Sequence, residues 1–271
     1  MTAVERRQVI DIPPVKAVTT EHQMLTLLCG CGHETKAEAP AWVHSASWGK
    51  FALVTVHAKR GKDGMTAAGV LPLFTGIAVH DAWKPYDTFE NVAGHALCGA
   101  HVLRELTAVT ETGTDLDKAW AQQAIDALLA LDKAAEAARA AGEAAMDPKT
   151  REEHEDWYRK AAATGITLNA GRGSKLRQKR HALATRLQAR EDDYLRFARD
   201  LRIPFTSNPA GQVIRMSKLR IKVSGCMRSM KGAQTFCAIG SCLAAAARHG
   251  ITWLDALTRA AEDNPCIPGT T

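Results

Sequence analysis

At 271 residues the chain is long enough for one large domain or two small ones, and its net charge of +6 favours a polyanionic partner. Seven cysteines, an odd number without framework spacing, argue against a disulfide scaffold and for reduced thiols in a cytoplasm. No apolar run nears the roughly 18 residues of a membrane span, and the first residues lack the apolar core of a signal peptide, so a soluble cytoplasmic protein is expected.

Arg7-Gln-Val-Ile-Asp-Ile alternates like a strand and is stopped by Pro13 and Pro14. Thr20-Glu-His22 and Met24-Leu-Thr-Leu-Leu28 then lead into Cys29-Gly-Cys31-Gly-His33. Thiolates one residue apart can turn around one Zn²⁺, with His22 or His33 adding imidazole. Four ligands are needed, however, and only one cysteine pair is present, so Cys29 and Cys31 read as a partial zinc site or as a metal-free turn. Trp42 to Trp48 and Phe51 to His57 are β-rich runs joined by Gly49-Lys50, which predicts an antiparallel hairpin. Lys59 to Asp63 is a basic turn before a short amphipathic helix. Lys59 and Arg60 are either solvated there or in contact with phosphate.

Gly76-Ile-Ala-Val reads as a short buried strand, placing Asp81 at its C-terminal end, where α/β sheets present their chemistry. From Gly94 onward, Leu97, Val102, Leu103 and Leu106 have helical spacing, with Cys98, His101 and Glu105 on a neighbouring stripe. An acid at a strand end before a long helix suggests a metal-dependent site, and an ordinary loop Asp fits the same pattern. Trp83 and Tyr86 read as packing residues, with stacking on a base as the alternative.

From Thr107 the chain turns Ala- and charge-rich, with helices expected from Asp115 to Ala145 and from Pro148 to Ala163. Leu168 to Gly173 reads as a linker, and Ser174 as the N-cap of a helix reaching about Asp200. Nine Lys or Arg and no acid lie between Asp156 and Glu191. Arg172, Lys175, Arg177, Lys179 and Arg180 therefore form either a phosphate-contacting arm or a solvated basic face. Residues 201–254 carry eight Lys or Arg and no acid at all. Arg215, Lys218 and Lys222 share one helical face, which Arg228 extends. Gly232 to His249 and Ile251 to Asp263 read as further helices, and Cys226, Cys237, Cys242 and Cys266 as packing thiols.

Several spaced motifs occur in one order. His80-Asp81-x-Trp83-x-x-Tyr86 and His95-x-Leu-Cys98-x-Ala-His101-x-Leu-Arg104-Glu105-Leu106 resemble the middle of transposases of the insertion sequence 66 family. Phe205-Thr-Ser-Asn208-Pro-Ala210, Ile214-Arg215-Met216, Lys222-Val-Ser224-Gly225-Cys-Met-Arg228-Ser229 and Gly232 to Phe236 resemble the same family's C-terminal half. The likeness runs from about Arg7 to Pro268. It implies an α/β fold built on a ribonuclease-H-like mixed sheet, with a large all-helical insertion and a helical C-terminal part. The expected layout is 1–40 as remnant zinc module and linker, 41–112 as the first part of the sheet domain, 113–200 as the insertion with its basic arm, and 201–271 as the second part. The resemblance also implies DNA as partner, both element ends and target, with a homo-oligomer compatible. Two Mg²⁺ would be held by three carboxylates for phosphodiester cleavage and strand transfer.

This sequence departs from that pattern twice. Cys31 to Pro40 runs directly into Ala41-Trp42, leaving no evident room for the central first strand and its acid, while Glu34 and Glu38 sit in a polar linker. Where the family reads Asn-x-Ala-Glu-Arg-x-Ile-Arg, this chain reads Asn208-Pro-Ala-Gly211-Gln212-Val-Ile-Arg215, so Gly211 replaces the third acid. Asp81 alone remains as catalytic residue and Mg²⁺ ligand. The expectation is an incomplete sheet, with the Arg7–Pro13 or Met24–Leu28 run as the alternative that fills the gap, and a transposase defective in catalysis. The alternatives are a non-catalytic DNA-binding remnant, occupying element ends or joining intact transposase, and a decayed product without a role.

Overall fold

Five strands form one mixed sheet, and nine helices among the described residues cover it and extend from it. The computed structural model describes residues 18–25, 41–224 and 229–264. β2 (Ala41–Trp48) and β3 (Phe51–His57) make the expected hairpin, in register from Trp42↔His57 to Trp48↔Phe51. Gly49 turns it at φ +51, a conformation open to a residue without Cβ. β1 (Val18–Leu25) pairs antiparallel with β2 and parallel with β4 (Ile77–His80), and β5 (Gly94–Leu97) pairs parallel with β4. The order is β3-β2-β1-β4-β5.

The expected gap at the centre of the sheet is therefore corrected. The largely polar run Val18-Thr-Thr-Glu-His-Gln lies in the centre, pairing with β2 from Thr19 onward and with β4 at Val18 and Thr19, so backbone pairing places it there whatever its side chains. A second correction concerns Gly94 to Leu97. Its helical spacing gives way to strand pairing along the edge of β4, and the helix begins only after Cys98.

Both faces of the sheet are covered, as alternation along β2 requires. On one face Val43, Val54 and Val56 pack with Ile214 of α7 (Asn208–Ser224) and with Ala233 and Cys237 of α8 (Met230–Arg248). On the other, Ala46 and Ala78 meet Met65 of α1 (Lys62–Ala67), Leu71, Phe74 and Tyr86. Arg248 of α8 adds a bond to Ser47 Oγ at 2.7 Å, and α9 (Trp253–Ala261) follows.

The helical layer consists of α2 (Gly99–Thr112), α3 (Asp115–Ala140), α4 (Pro148–Asn169), α5 (Lys175–Ala189) and α6 (Glu191–Arg199). Its core of Trp120, Leu128, Tyr158 and Leu187 continues into Val79 and Leu97 of the sheet. Three of these helices start on a side-chain cap: Thr114 and Asp117 form a capping box, Asp147 accepts from Thr150 N–H at 2.8 Å, and Ser174 accepts from Arg177 N–H at 3.2 Å. The helix expected from Ser174 to Asp200 breaks at Arg190, whose ψ of 32 interrupts the helical path. Among the described residues no helix is long and apolar enough to cross a membrane.

Candidate metal and DNA site

Asp81 follows β4 directly and is half-buried. The strand ends because Ala82 adopts φ +67, a left-handed conformation that Cβ makes costly. The turn lets Trp83 N–H donate to Asp81 Oδ1 at 3.2 Å. Backbone strain of this kind persists only where the surroundings enforce it, and it concentrates at functional positions.

The register of β1 brings a second acid into view. The β1–β4 register ends at Thr19↔Val79, and continued two positions it would set Glu21 level with Asp81, just past the end of β4. Glu21 also pairs in register with Ser45 of β2. The Ser45 hydroxyl donates to Ala210 O at 3.2 Å, which sets the start of α7 against that strand. The start of α7, which carries Gly211, is thus tied to β2, the strand that pairs with β1 on its other side from β4. Sequence reasoning missed Glu21. The available signal was the β-branched run Val18-Thr19-Thr20 immediately before it.

The β5–α2 junction is tied to the segment that leads into α7. Gly99 N–H donates to Phe205 O at 2.8 Å, and Ser207 N–H donates to Cys98 Sγ at 3.2 Å. Burial pushes the Cys98 thiol up, but hydrogen bonds with His101 and Ser207 outweigh it and bring the thiol down to about 7. The bond to Cys98 raises His101 against its burial, and the charges of Cys98 and Asp81 add to the effect. A polar pair therefore braces the junction next to Asp81.

His80, Asp87 and His95 place ligand-type atoms within 4.8 Å of one another. His80 Nε2 lies 3.0 Å from His95 Nδ1, while His80 Nδ1 accepts from Ala82 N–H at 3.2 Å. That bond assigns the His80 proton to Nε2, so the nitrogen facing the cluster is a donor rather than a ligand. Arg190 holds Asp87 at 3.1 Å. In this arrangement the group works as a hydrogen-bonded bracket, and a metal would require the other His80 tautomer.

The basic residues divide by environment. Arg172, Lys175 and Lys179 are exposed around the start of α5, and Arg215 is exposed on α7. Arg177 folds back onto the carbonyls of Leu168 and Ala170, at 3.1 and 2.8 Å. Arg180 is a correction: it is buried, with Nη1 3.0 Å from Asp117 Oδ2, and cannot lie along DNA. Its place in a basic run reflects the helix, while its rotation towards Asp117 sets its role. The side chains of Lys218 and Lys222, and all of Arg228, Cys29, Cys31 and His33, lie outside the described residues.

A family model described as "Transposase IS66 family" matches residues 7–235. No curated protein and no solved structure gives a match to this chain.

Proposed function

The chain belongs to the IS66 transposase family, and from that premise we propose a DNA-binding protein of ribonuclease-H-like architecture whose catalytic centre is too poor in carboxylates to cut DNA. The sheet order β3-β2-β1-β4-β5, with β1 central, supports that architecture. Asp81 at the end of β4 supports the position of one catalytic acid, and Glu21 gives the level of a second. Gly211, beside the Ala210 carbonyl that Ser45 holds against the sheet, is the observation that carries the reading. Gly211, which stands where the family pattern has its third acid, offers no side-chain oxygen.

The family's chemistry draws on divalent cations. Mg²⁺ takes hard oxygen ligands in near-octahedral geometry, and a two-metal centre must clamp both the attacking and the leaving oxygen. Two acidic positions with glycine at the third do not fit a pair of such ions. No other acid lies anywhere from residue 201 to 254 to substitute from the α7 side. We therefore read the retained capacity as contact with DNA through Arg172, Lys175, Lys179 and Arg215, acting by occupancy of element ends or by association with an intact transposase.

Incubation of the full chain with plasmid DNA and Mg²⁺ or Mn²⁺, alongside a binding titration over a salt series, tests this. The expected result is salt-dependent binding without nicking, with a salt slope that flattens by up to about 0.9 for each of Lys175 and Lys179 changed to Ala. Cleavage that disappears in Asp81→Asn would overturn the catalytic part, and binding indifferent to salt would overturn the DNA part.

A further inference from the structure

Arg60 is held between two indoles. Its Cζ lies 4.1 Å from the centroid of the Trp83 ring and 5.0 Å from that of Trp42. Trp42 stands near the start of β2, Arg60 follows β3 and Trp83 follows β4. Because β2 runs antiparallel to β1 and β3, and β1 runs parallel to β4, all three residues gather at the sheet end that carries Asp81. The platform is anchored. Trp83 packs against the cluster of Met65, Phe74 and Tyr86, and its backbone N–H is bonded to Asp81.

The charges around Arg60 separate it from its neighbours. Lys59 is neutralised by Asp63 at 2.7 Å, and Lys62 reaches the Thr88 carbonyl and the Phe89 ring. Arg60 makes no ion pair with a carboxylate among the described residues, and its buried Nε has no hydrogen-bond partner there. Ring faces attract a guanidinium through its charge without accepting its N–H groups as carboxylates would, which leaves those donors available. A guanidinium in that state suits bidentate capture of an anion's paired oxygens. Holding the side chain in place before binding also removes part of the ordering cost. A lone solvated arginine would have neither feature.

We propose that Arg60, clamped between Trp42 and Trp83, is a pre-positioned phosphate clamp that grips the DNA backbone beside Asp81. The inference rests on the DNA-binding reading above and adds a defined contact at the sheet end, remote in sequence from the basic arm of α5.

The test is fluorescence anisotropy of a short labelled duplex of arbitrary sequence with the full chain, over a sodium chloride series, comparing wild type, Arg60→Gln, Arg60→Lys and the Lys175→Ala/Lys179→Ala pair. Arg60→Gln is expected to flatten the log–log salt slope by about 0.9, the loss of one phosphate contact. Arg60→Lys keeps the charge but loses the planar fork, so the slope stays and affinity falls several-fold at fixed salt. A purely structural role would lower the melting temperature of both variants and leave slope and affinity unchanged. An unchanged slope in a folded Arg60→Gln overturns the clamp, and where that variant does not fold, unchanged affinity in Arg60→Lys does so. If the lysine pair flattens the slope and Arg60→Gln does not, only the clamp falls. If wild type shows no salt-dependent binding, the DNA-binding reading falls with it.

Discussion

Replacing Arg180 with Ala strands the Asp117 carboxylate inside the helical layer. The two side chains are 10% and 7% exposed, and they meet at 3.0 Å. Breaking a buried pair from one side costs about 3–5 kcal/mol, because the remaining charge loses its counter-ion but not its burial. Asp117 keeps Asn169 Nδ2 at 2.9 Å and the backbone N–H of Thr114 at 3.2 Å, which places the cost near about 3 kcal/mol. At roughly 2–4 °C per kcal/mol for a chain of this size, the melting temperature should fall by about 6–12 °C. The double variant Arg180→Met with Asp117→Asn removes both charges and retains an acceptor at the α3 cap, so it should recover to within about 1 kcal/mol of wild type. Thermal and urea melts by circular dichroism measure both, and DNA titration provides the second readout. A drop below about 2 °C in Arg180→Ala, or a flattened salt slope in a variant that melts like wild type, would refute the reasoning.

Two further outcomes are expected. A Cβ added at Gly99 would stand 2.1 Å from the Phe205 ring, so Gly99→Ala should cost about 1–3 kcal/mol in urea unfolding and be partly rescued by Phe205→Leu; an unchanged midpoint would contradict the packing of this junction. Burial pushes the carboxyls of Glu155 and Asp117 up, but their partners (Arg199 for Glu155, Asn169 and Thr114 for Asp117) outweigh it and hold both below their ordinary values of 4.5 and 3.8. Their stabilisation is therefore complete above those values and is lost as pH falls through the lower folded values. Burial also holds His44 and His95 below their ordinary 6.5, so the urea midpoint should begin to decline below about pH 6.5 and steepen below about pH 5, the lower part less steeply in Glu155→Gln; equal acid sensitivity in that variant would remove Glu155 from the explanation.

Much of the sheet edge was legible because its cues are local. The hairpin follows from two alternating runs around Gly49-Lys50, the helix starts follow from Asp147 and Ser174, and Asp81 follows from a short apolar strand closed by a polar pair. The misses share one cause, which is that the deciding partner is distant in sequence. β1 is polar over Thr19 to Gln23, and only pairing with β2 and β4 makes it a central strand. β5 is too short for its period to be read and owes its state to the edge of β4. Arg180 looks like a member of a basic arm until Asp117, on another helix, claims it. The Arg60 sandwich draws its rings from β2 and from the turn after β4, so no window of the sequence contains it.

The central claim concerns how many cations the Asp81 centre can hold, and titration of Mn²⁺ into the full chain, followed by calorimetry and electron paramagnetic resonance, counts them. Wild type should bind without a coupled pair of ions at the site, and Gly211→Glu should tighten Mn²⁺ binding in a manner abolished by Asp81→Asn. Two tightly bound, magnetically coupled Mn²⁺ in the wild-type chain, lost on Asp81→Asn, would contradict the account.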